Sequence, residues 1–376
     1  MRVVELVLRN FRLFESLELD FDVKNIVSGP NGSGKTTIIE AINYSSTFSP
    51  LRSYETDREL IKVGQNTFNI TSKFIDDNGF LNTVFVGYGF DGTNYTKRIK
   101  VNDKNSNVIN ASGRLKAVTL LVEDYEIVVG SPSWRRKVID NALISTDQSY
   151  YHYLINYNKI LKQKNTILKT IKEKYRNEDN PFTDVSSLDR SIELVRTYNQ
   201  SLSKFVVRIT KYRYDIYNFL RDKLKGNTPI SIDLKYKSNF VEIVKNSQNP
   251  EVEVSDLLNR EIQREIMYGK SIVGPHLDDF IVLSNQKPAR TLLSQGQIRL
   301  VSILFKIFLA EYIKSKTNMN PILLIDDVFG ELDSNNRGKV FRIISELPYQ
   351  VILSFFEKPE ELNTKDFKII SLTQAT

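Results

Sequence analysis

The sequence contains no cysteine, only two histidines and a single tryptophan. The absence of cysteine excludes disulfides and thiolate metal sites, and His152 and His276 are too far apart to form a zinc-binding motif. No apolar run approaches the roughly 20 residues that a membrane helix needs, and the first residues lack the pattern of a secretory signal. We therefore expect a cytoplasmic protein without a membrane partner, and oxygen-bound magnesium is the metal left open.

The chain has 376 residues, of which 41% are hydrophobic and 26% are charged. This size predicts one large domain with an insertion, or two domains. The net charge is +7, and residues 159–225 hold 16 Lys or Arg against 8 Asp or Glu, so this segment sums to 16 − 8 = +8. Such a basic segment suits binding to a phosphate backbone, and a solvated helical face explains it equally well.

The first 130 residues predict mostly short strands separated by turns. Alternating apolar residues indicate strands at residues 3–8, 17–21, 67–75, 83–88 and 95–101. The sequence Asp77-Asn78-Gly79 predicts a hairpin turn. Residues 102–113 are rich in turn formers and lead to another buried-strand candidate at residues 117–122.

From residue 152 onward the apolar spacing becomes helical. One helix is predicted to about residue 175 and a second from about residue 188 to 220, with the break at Pro181. Their apolar faces are interrupted only by Lys164, Asn199 and Arg213. Two such helices joined by a short turn predict an antiparallel hairpin, or arm, that ends near Gly226.

The remaining chain predicts a return to mixed strands and helices. Strands are indicated at residues 230–236, within 271–283, at 321–325 and at 351–356, and helices at 255–267 and 297–313. The continuous apolar run at 321–325 is typical of a central parallel strand that is buried on both faces.

The strongest motif is the sequence GPNGSGKT at residues 29–36, which fits the phosphate-loop pattern between a predicted strand and a predicted helix. Glycines allow backbone N–H groups to surround a polyphosphate, and the helix N-terminus adds partial positive charge. Lys35 is expected to reach the β- and γ-phosphates and Thr36 to bind magnesium. A glycine-rich surface turn is the alternative. The predicted nucleotide-binding residues of this segment are Gly29, Pro30, Asn31, Gly32, Ser33, Gly34, Lys35, Thr36 and Thr37.

Two carboxylates end the apolar run at 321–325 and provide the second motif. Asp326 is predicted to bind magnesium beside Thr36, and Asp327 to orient or deprotonate the attacking water, so Asp327 and Lys35 are the predicted catalytic residues. Acidic residues after apolar strands are common in loops. The pairing with the phosphate loop makes the motif specific.

The third motif is Leu-Ser-Gln-Gly-Gln at residues 293–297, directly before a predicted amphipathic helix. It resembles the signature loop of ATP-binding-cassette ATPases, in which a Ser and a Gly at a helix N-terminus contact the γ-phosphate bound by the opposite subunit. By that resemblance Ser294, Gly296 and Gln297 act in trans. A simple helix cap is the local alternative. Residues 331–333 resemble the D-loop of the same dimer interface.

About 260 residues separate Lys35 from Ser294, which excludes a transporter-type cassette and is similar to the heads of structural-maintenance and double-strand-break-repair ATPases. Seven ordered blocks resemble the RecF recombination-mediator family, which has a short arm. They lie at residues 8–12, 52–61, 130–140, 157–169, 273–279, 293–299 and 321–333. Val122, Leu277 and Gly330 depart from the family pattern, in which Pro, Arg and Ser are usual.

The resemblance implies an α/β fold: an ABC-type P-loop ATPase head, with a mixed and parallel sheet and flanking helices, plus an inserted helical hairpin arm domain. The head comprises residues 1–130 and 226–376, and the arm or lid comprises residues 131–225. Arg12 is expected to touch the nucleotide, with a surface salt bridge as the alternative. His276 is expected to be structural.

The function implied is that of a weak, DNA-stimulated ATPase with ATP and Mg²⁺ as cofactors. ATP binding causes two chains to form a homodimer that clamps duplex DNA or duplex/single-strand junctions, and slow hydrolysis releases the DNA. RecR, RecO and RecA are the implied protein partners, and the location is the cytoplasm at the nucleoid. The alternative is a nucleotide-gated scaffold or defence ATPase that binds a protein partner rather than DNA.

Overall fold

The computed structural model describes residues 1–52, 55–177, 185–228, 230–329, 334–355 and 364–373. The strands are β1 (Arg2–Phe11), β2 (Phe14–Asp20), β3 (Lys24–Ser28), β4 (Thr67–Ile75), β5 (Leu81–Phe90), β6 (Tyr95–Val101), β7 (Lys104–Ser106), β8 (Ala117–Leu121), β9 (Ile232–Lys237), β10 (Asp279–Ser284), β11 (Lys287–Pro288), β12 (Ile322–Asp326), β13 (Val351–Phe355) and β14 (Lys368–Ser371). The helices are α1 (Lys35–Thr47), α2 (Val108–Ala111), α3 (Glu126–Val129), α4 (Pro132–Thr146), α5 (Gln148–Asn177), α6 (Val185–Asn227), α7 (Val241–Asn246), α8 (Pro250–Arg260), α9 (Ile262–Tyr268), α10 (Gln295–Thr317) and α11 (Ser334–Glu346).

The described strands form three sheets. A parallel sheet has the order β14-β3-β13-β12-β8, and an antiparallel sheet has the order β2-β1-β4-β5-β6-β7. The third sheet is small and antiparallel, with the order β11-β10-β9. The predicted combination of parallel and mixed sheet with flanking helices is therefore confirmed.

Strand β12 is buried on both faces, as its continuous apolar sequence predicts. Ile322 and Leu324 pack in one hydrophobic core with α1 and the antiparallel sheet, whereas Leu323 and Ile325 pack in the other core with α10. Successive side chains of a strand point to opposite faces, so one short strand contributes to both cores.

Helix α1 lies between the parallel and the antiparallel sheet. It packs against β8, β12 and β13 on one side and against β1, β4 and β5 on the other. Its apolar side chains are buried accordingly, including Ile38, Ile39 and Ile42. Because α1 follows the phosphate-loop sequence directly, this double packing holds the start of the helix at the edge of the parallel sheet.

Helices α5 and α6 pack against each other, as the helical spacing predicts, and α9 adds to a small core between them. The three polar residues that interrupt their apolar faces are all buried. Lys164 pairs with Glu265 of α9 at 2.7 Å, and the Asn199 amide donates to the Asn259 side chain of α8 at 2.9 Å. These residues therefore bind neighbouring elements rather than solvent.

Arg213 is the third interruption and joins three parts of the chain. Its guanidinium donates to both carboxylate oxygens of Asp140 in α4 at 3.0 Å. It also donates to the Pro275 carbonyl at 2.6 Å and to Asp278 at 3.0 Å. A buried guanidinium needs a hydrogen-bond acceptor for each of its N–H donors, because each unpaired donor would carry a desolvation cost. The base of the hairpin is thereby tied to α4 and to the segment before β10.

Most predicted strands agree with the structure, and the turn at 77–79 joins β4 to β5 in antiparallel register. Several details were wrong. The helix predicted at 255–267 is two helices, α8 and α9, and α7 was not predicted. The turn-rich segment 102–113 contains β7 and α2, and the helix predicted at 297–313 extends over Gln295–Thr317. Pro181, where the break between the two helices is predicted, and residue 356 lie outside the described residues.

The division into a head and an arm at 131–225 stays a prediction. In the structure, α8 and α9 follow that segment in the chain and pack against α6 and α5 respectively. None of the described helices is both long and apolar enough to span a membrane.

His276 precedes β10 and contacts α5. Its Nδ1 atom and the Tyr157 hydroxyl share a hydrogen bond of 2.6 Å. Burial is the largest cause that lowers the pKa of His276 to about 4, and the positive charge of Arg136 lowers it further. The histidine is therefore neutral in the folded protein at neutral pH, which agrees with the structural role expected for it.

This lowered pKa predicts acid sensitivity. In the unfolded chain His276 has a pKa of about 6.5 and is protonated below that pH, whereas in the folded chain it stays neutral until about pH 4. The stability of the folded protein therefore falls as the pH falls from about 6.5 to about 4. Between pH 7 and pH 5 this histidine should remove about 2 kcal/mol of the free energy of unfolding. Urea unfolding at both pH values should show a smaller loss for His276→Gln, which cannot titrate. An equal loss in both proteins would contradict the assignment.

Candidate functional site

The segment Gly29–Gly34 connects the C-terminal end of β3 to α1, as the sequence predicts. Gly34 has φ +97°, and a Cβ atom there would lie 2.4 Å from the Phe14 ring. Gly32 has φ +79° in open space, so its backbone conformation alone favours glycine. Pro30, Asn31 and Gly32 form the exposed tip of the loop.

Lys35 folds back over this loop. Its ammonium group donates to the Gly29 carbonyl at 2.7 Å and to the Pro30 carbonyl at 2.9 Å. Helix α1 has no side-chain cap and no acidic residue in its first turn. The Ser33 hydroxyl is buried and lacks a hydrogen-bond partner among the described residues. An uncapped helix N-terminus beside a lysine and an unpartnered hydroxyl fits a bound phosphate group.

Thr36 and Asp326 meet beside the loop. The Thr36 hydroxyl donates to Asp326 Oδ1 at 3.1 Å, and the Ser354 hydroxyl of β13 donates to the same oxygen at 2.8 Å. Burial is the largest cause that raises the pKa of Asp326, and the neighbouring Asp327 raises it further. One hydroxyl and one carboxylate at this distance suit Mg²⁺, which keeps few protein ligands and takes others from water and phosphate.

Asp327 directly follows β12 and has a different environment. It is exposed, its φ is +50°, and its backbone N–H donates to the Ser354 hydroxyl at 3.0 Å. Few non-glycine residues adopt such a φ, and Asp tolerates it better than most. The turn therefore separates the buried Asp326 from the exposed Asp327, and their different roles stay predictions.

Arg12 lies in the turn between β1 and β2, and Leu13 of this turn and Phe14 of β2 lie against Gly34. Its guanidinium binds both carboxylate oxygens of Glu40 at 2.8 Å and one of Glu55 at 2.6 Å. The carboxylates of Glu40 and Glu55 hold the pKa of Arg12 well above its usual value. The salt bridge that was the alternative is thus present, and a contact between Arg12 and nucleotide stays a prediction.

The predicted signature loop lies at the start of α10. Ser294 Oγ accepts a hydrogen bond from the Gln297 backbone N–H at 3.3 Å, and the Gln297 side chain accepts from the Ser294 backbone N–H at 3.0 Å. This reciprocal capping box orders the helix N-terminus. Ser294 is exposed and Gly296 is half-buried, so the segment is accessible to a partner. The predicted D-loop at 331–333 lies outside the described residues.

Two groups near the site were missed from the sequence. Ser354 joins Asp326 to the backbone of Asp327, and its signal was a single polar residue within the apolar strand Val351–Phe355. Arg52 lies 3.8 Å from Glu123 and 3.9 Å from Glu55, so it joins the segment after α1 to the one after β8. No local pattern predicts the contact with Glu123, which is distant in sequence.

Three comparisons with known proteins agree with this geometry. The family described as the RecF/RecN/SMC N terminal domain matches residues 2–374. The DNA replication and repair protein RecF of Ruminiclostridium cellulolyticum is 34% identical over 353 residues, covering 92% of this chain and 91% of the relative. The corresponding protein of Clostridium acetobutylicum is 30% identical over 383 residues, covering 99% and 98%.

Solved structures give the same result. The recombination mediator protein RecF-ATPrS in the RecFOR pathway superimposes with a TM-score of 0.83 at 25% identity, covering 100% of this chain and 96% of that protein. An Smc head bound to the C-winged helix domain of ScpA has a TM-score of 0.51 at 14% identity, covering 95% and 90%, and shows a shared fold alone. From the family match over residues 2–374 and the 34% identical relative, the chain belongs to the RecF family of DNA replication and repair proteins.

Proposed function

We propose that this protein is an ATP-dependent DNA-binding recombination mediator. ATP closes a head-to-head dimer on duplex or gapped DNA, and slow hydrolysis releases it. The observation that carries the proposal is the convergence of Lys35, Thr36 and Asp326 at one edge of the parallel sheet. The solved relative named RecF-ATP, with a TM-score of 0.82 at 26% identity, supports ATP as the nucleotide.

Each residue of the site has a distinct task in this proposal. The backbone N–H groups at the start of α1 and the Lys35 ammonium bind the phosphates. Thr36 and Asp326 hold Mg²⁺, which neutralises charge on the phosphates when bound. Asp327 orients or deprotonates the attacking water. Ser294, Gly296 and Gln297 face the nucleotide held by the partner subunit, so dimerisation completes each site.

DNA binding rests on the positive charge of the helical hairpin. Part of its excess is neutralised internally, because Lys164 and Arg213 are buried in ion pairs, and Arg221 and Lys225 both pair with Asp233. Lys204, Arg208 and Lys211 remain exposed on α6 at spacings of four and three, which place them on one helical face. We propose this face as the DNA contact. Cooperation with RecR, RecO and RecA completes the proposal by family resemblance.

A specific observation favours the alternative, a nucleotide-gated scaffold that binds a protein partner. Met267 and Tyr268 at the end of α9 are 74% and 58% exposed. Neighbouring exposed apolar residues are common in protein interfaces. The ionic-strength experiment below separates the two functions.

Lys35→Ala should reduce ATP affinity at least a hundredfold, because it removes the ammonium group that lies over the phosphate loop. Isothermal titration with ATP measures this directly. Lys24→Ala is the matched control, since the Lys24 ammonium also binds backbone carbonyls, those of Leu347 and Tyr349, away from the loop. The control should keep wild-type affinity. Equal ATP affinity of Lys35→Ala and wild type would refute the role of the loop.

Asp327→Asn should keep ATP binding and lower hydrolysis by about 10²-fold or more, as expected for loss of a general base. In sedimentation experiments the wild type should dimerise with ATP and return to monomer with ADP, whereas the variant should stay dimeric. Asp222→Asn, an exposed aspartate on α6, is the control and should behave like wild type. A wild-type protein that remains monomeric with ATP at micromolar concentration would be incompatible with the clamp.

The affinity for DNA should fall steeply with salt, with a logarithmic slope of about −0.9 per neutralised phosphate. Replacing Lys204, Arg208 and Lys211 together by Gln should reduce the magnitude of that slope by up to about 3. The same triple substitution at Arg98, Lys100 and Lys104, on the antiparallel sheet, should leave it unchanged. A DNA affinity that is insensitive to salt would favour the protein-binding alternative.

A further inference from the structure

Helix α10 packs through apolar residues on the parallel sheet that carries the phosphate loop, called here the nucleotide-binding sheet, and it also reaches this sheet through a buried lysine. The Lys306 ammonium lies 3.0 Å from Asp124 Oδ1 and donates to the Thr119 carbonyl of β8 at 2.7 Å. The side chains of Lys306 and Asp124 are 11% and 5% exposed. An ion pair this buried is costly to break, because the remaining partner would be left charged and unpaired.

The carbonyl that Lys306 contacts lies on the outer edge of the parallel sheet. In the described sheet β8 pairs only with β12, and the Lys116 carbonyl accepts from the Ile322 N–H. Successive carbonyl groups of a strand point toward opposite neighbouring strands, and the Lys116 carbonyl points toward β12. The Thr119 carbonyl, three residues later, therefore points away from β12. Lys306 therefore occupies a position on the edge where a further strand would otherwise pair.

Both partners of Lys306 are held in place by contacts with β8 and α1. Asp124 Oδ2 accepts from the Leu121 N–H at 2.8 Å, so the carboxylate is part of the turn that follows β8. The Thr119 hydroxyl donates to Asn43 Oδ1 at 2.9 Å, and Asn43 lies on α1. A continuous series of polar contacts thus leads from the helix behind the phosphate loop, through β8, to α10.

These polar contacts add to the apolar packing between α10 and the sheet. A cleft adjoins these contacts, and its lining includes Asn43, Thr119, Asp124 and Lys306. Further along α10, the Tyr312 hydroxyl donates to Asp215 of α6 at 2.7 Å. The same helix is therefore anchored to the nucleotide-binding sheet at Lys306 and to the hairpin at Tyr312.

We propose that Lys306 is a positioning residue, which holds α10 in register with the nucleotide-binding sheet so that nucleotide at residues 29–36 determines where Ser294 is presented. The inference rests on the proposed function, because it assigns Ser294 its role at the partner subunit. Helix α10 has no proline and no glycine after Gly296, so it moves as one body. Ser294 is twelve residues from Lys306, or about 18 Å along the helix. A small rotation of α10 about Lys306 would therefore displace Ser294 by a larger distance than residues near Lys306.

The test compares Lys306→Met with Lys316→Met. Lys316 is on the same helix and pairs with Asp215, with both side chains partly exposed, so its loss removes an ion pair without touching the sheet. Lys306→Met should keep ATP affinity within twofold of wild type, measured on dilute monomer, and weaken ATP-induced dimerisation at least tenfold by sedimentation. Lys316→Met should change neither, and Lys306→Arg should restore dimerisation to within threefold of wild type.

A second measurement does not depend on the dimer. Amide hydrogen exchange of residues 294–300 in the dilute monomer should change on ATP addition in wild type and in Lys316→Met, but not in Lys306→Met. If Lys306→Met unfolds, Asp124→Asn, which keeps the shape and one accepting oxygen, replaces it in both experiments.

Wild-type exchange and dimerisation in Lys306→Met would overturn the inference. So would a parallel loss of ATP affinity, which would make Lys306 a support of the pocket itself. If wild type stays monomeric with ATP, the proposed function fails, and the exchange experiment still decides whether Lys306 transmits nucleotide binding to α10.

Discussion

The parallel pairing of β12 with β13, and of β13 with β3, is the constraint on which the candidate site depends. It brings the C-terminal ends of three strands to one edge of a sheet, and each strand contributes one group there. The phosphate loop follows β3, Asp326 ends β12, and Ser354 lies on β13 between them. Because β13 separates the other two strands, its hydroxyl can bridge to Asp326 while Thr36 approaches from the loop.

Burial of the sheet on both faces makes this edge rigid. Four consecutive buried aliphatic residues of β12 divide between two hydrophobic cores, and full burial of each such side chain contributes about 1.5–3 kcal/mol. The polar groups at the end of the strand are held by this packing. The rigidity of the site therefore comes mainly from apolar residues that never touch a ligand.

Buried charges join separate elements of the chain to one another. Lys164, Arg213 and Lys306 are each buried against carboxylates from other elements, and each crosses a boundary between parts of the chain. Such pairs add little net stability but specify one relative arrangement, since any other packing leaves a charge unpaired. In a protein proposed to respond to nucleotide by moving parts relative to one another, these are the contacts that define the starting arrangement.

The phosphate loop, the acidic strand end and most strands could be predicted from the sequence, because they depend on local glycine placement and apolar spacing. The sequence also identified Lys164, Asn199 and Arg213 as interruptions of a helical face, without indicating their partners. The packed fold was needed to see that Arg12 binds Glu40, that Ser354 bridges the acidic pair, and that Lys306 reaches Asp124. Each of these contacts joins residues far apart in the chain. Local sequence patterns predict individual helices and strands, but the distance between two elements is fixed only when the elements pack together.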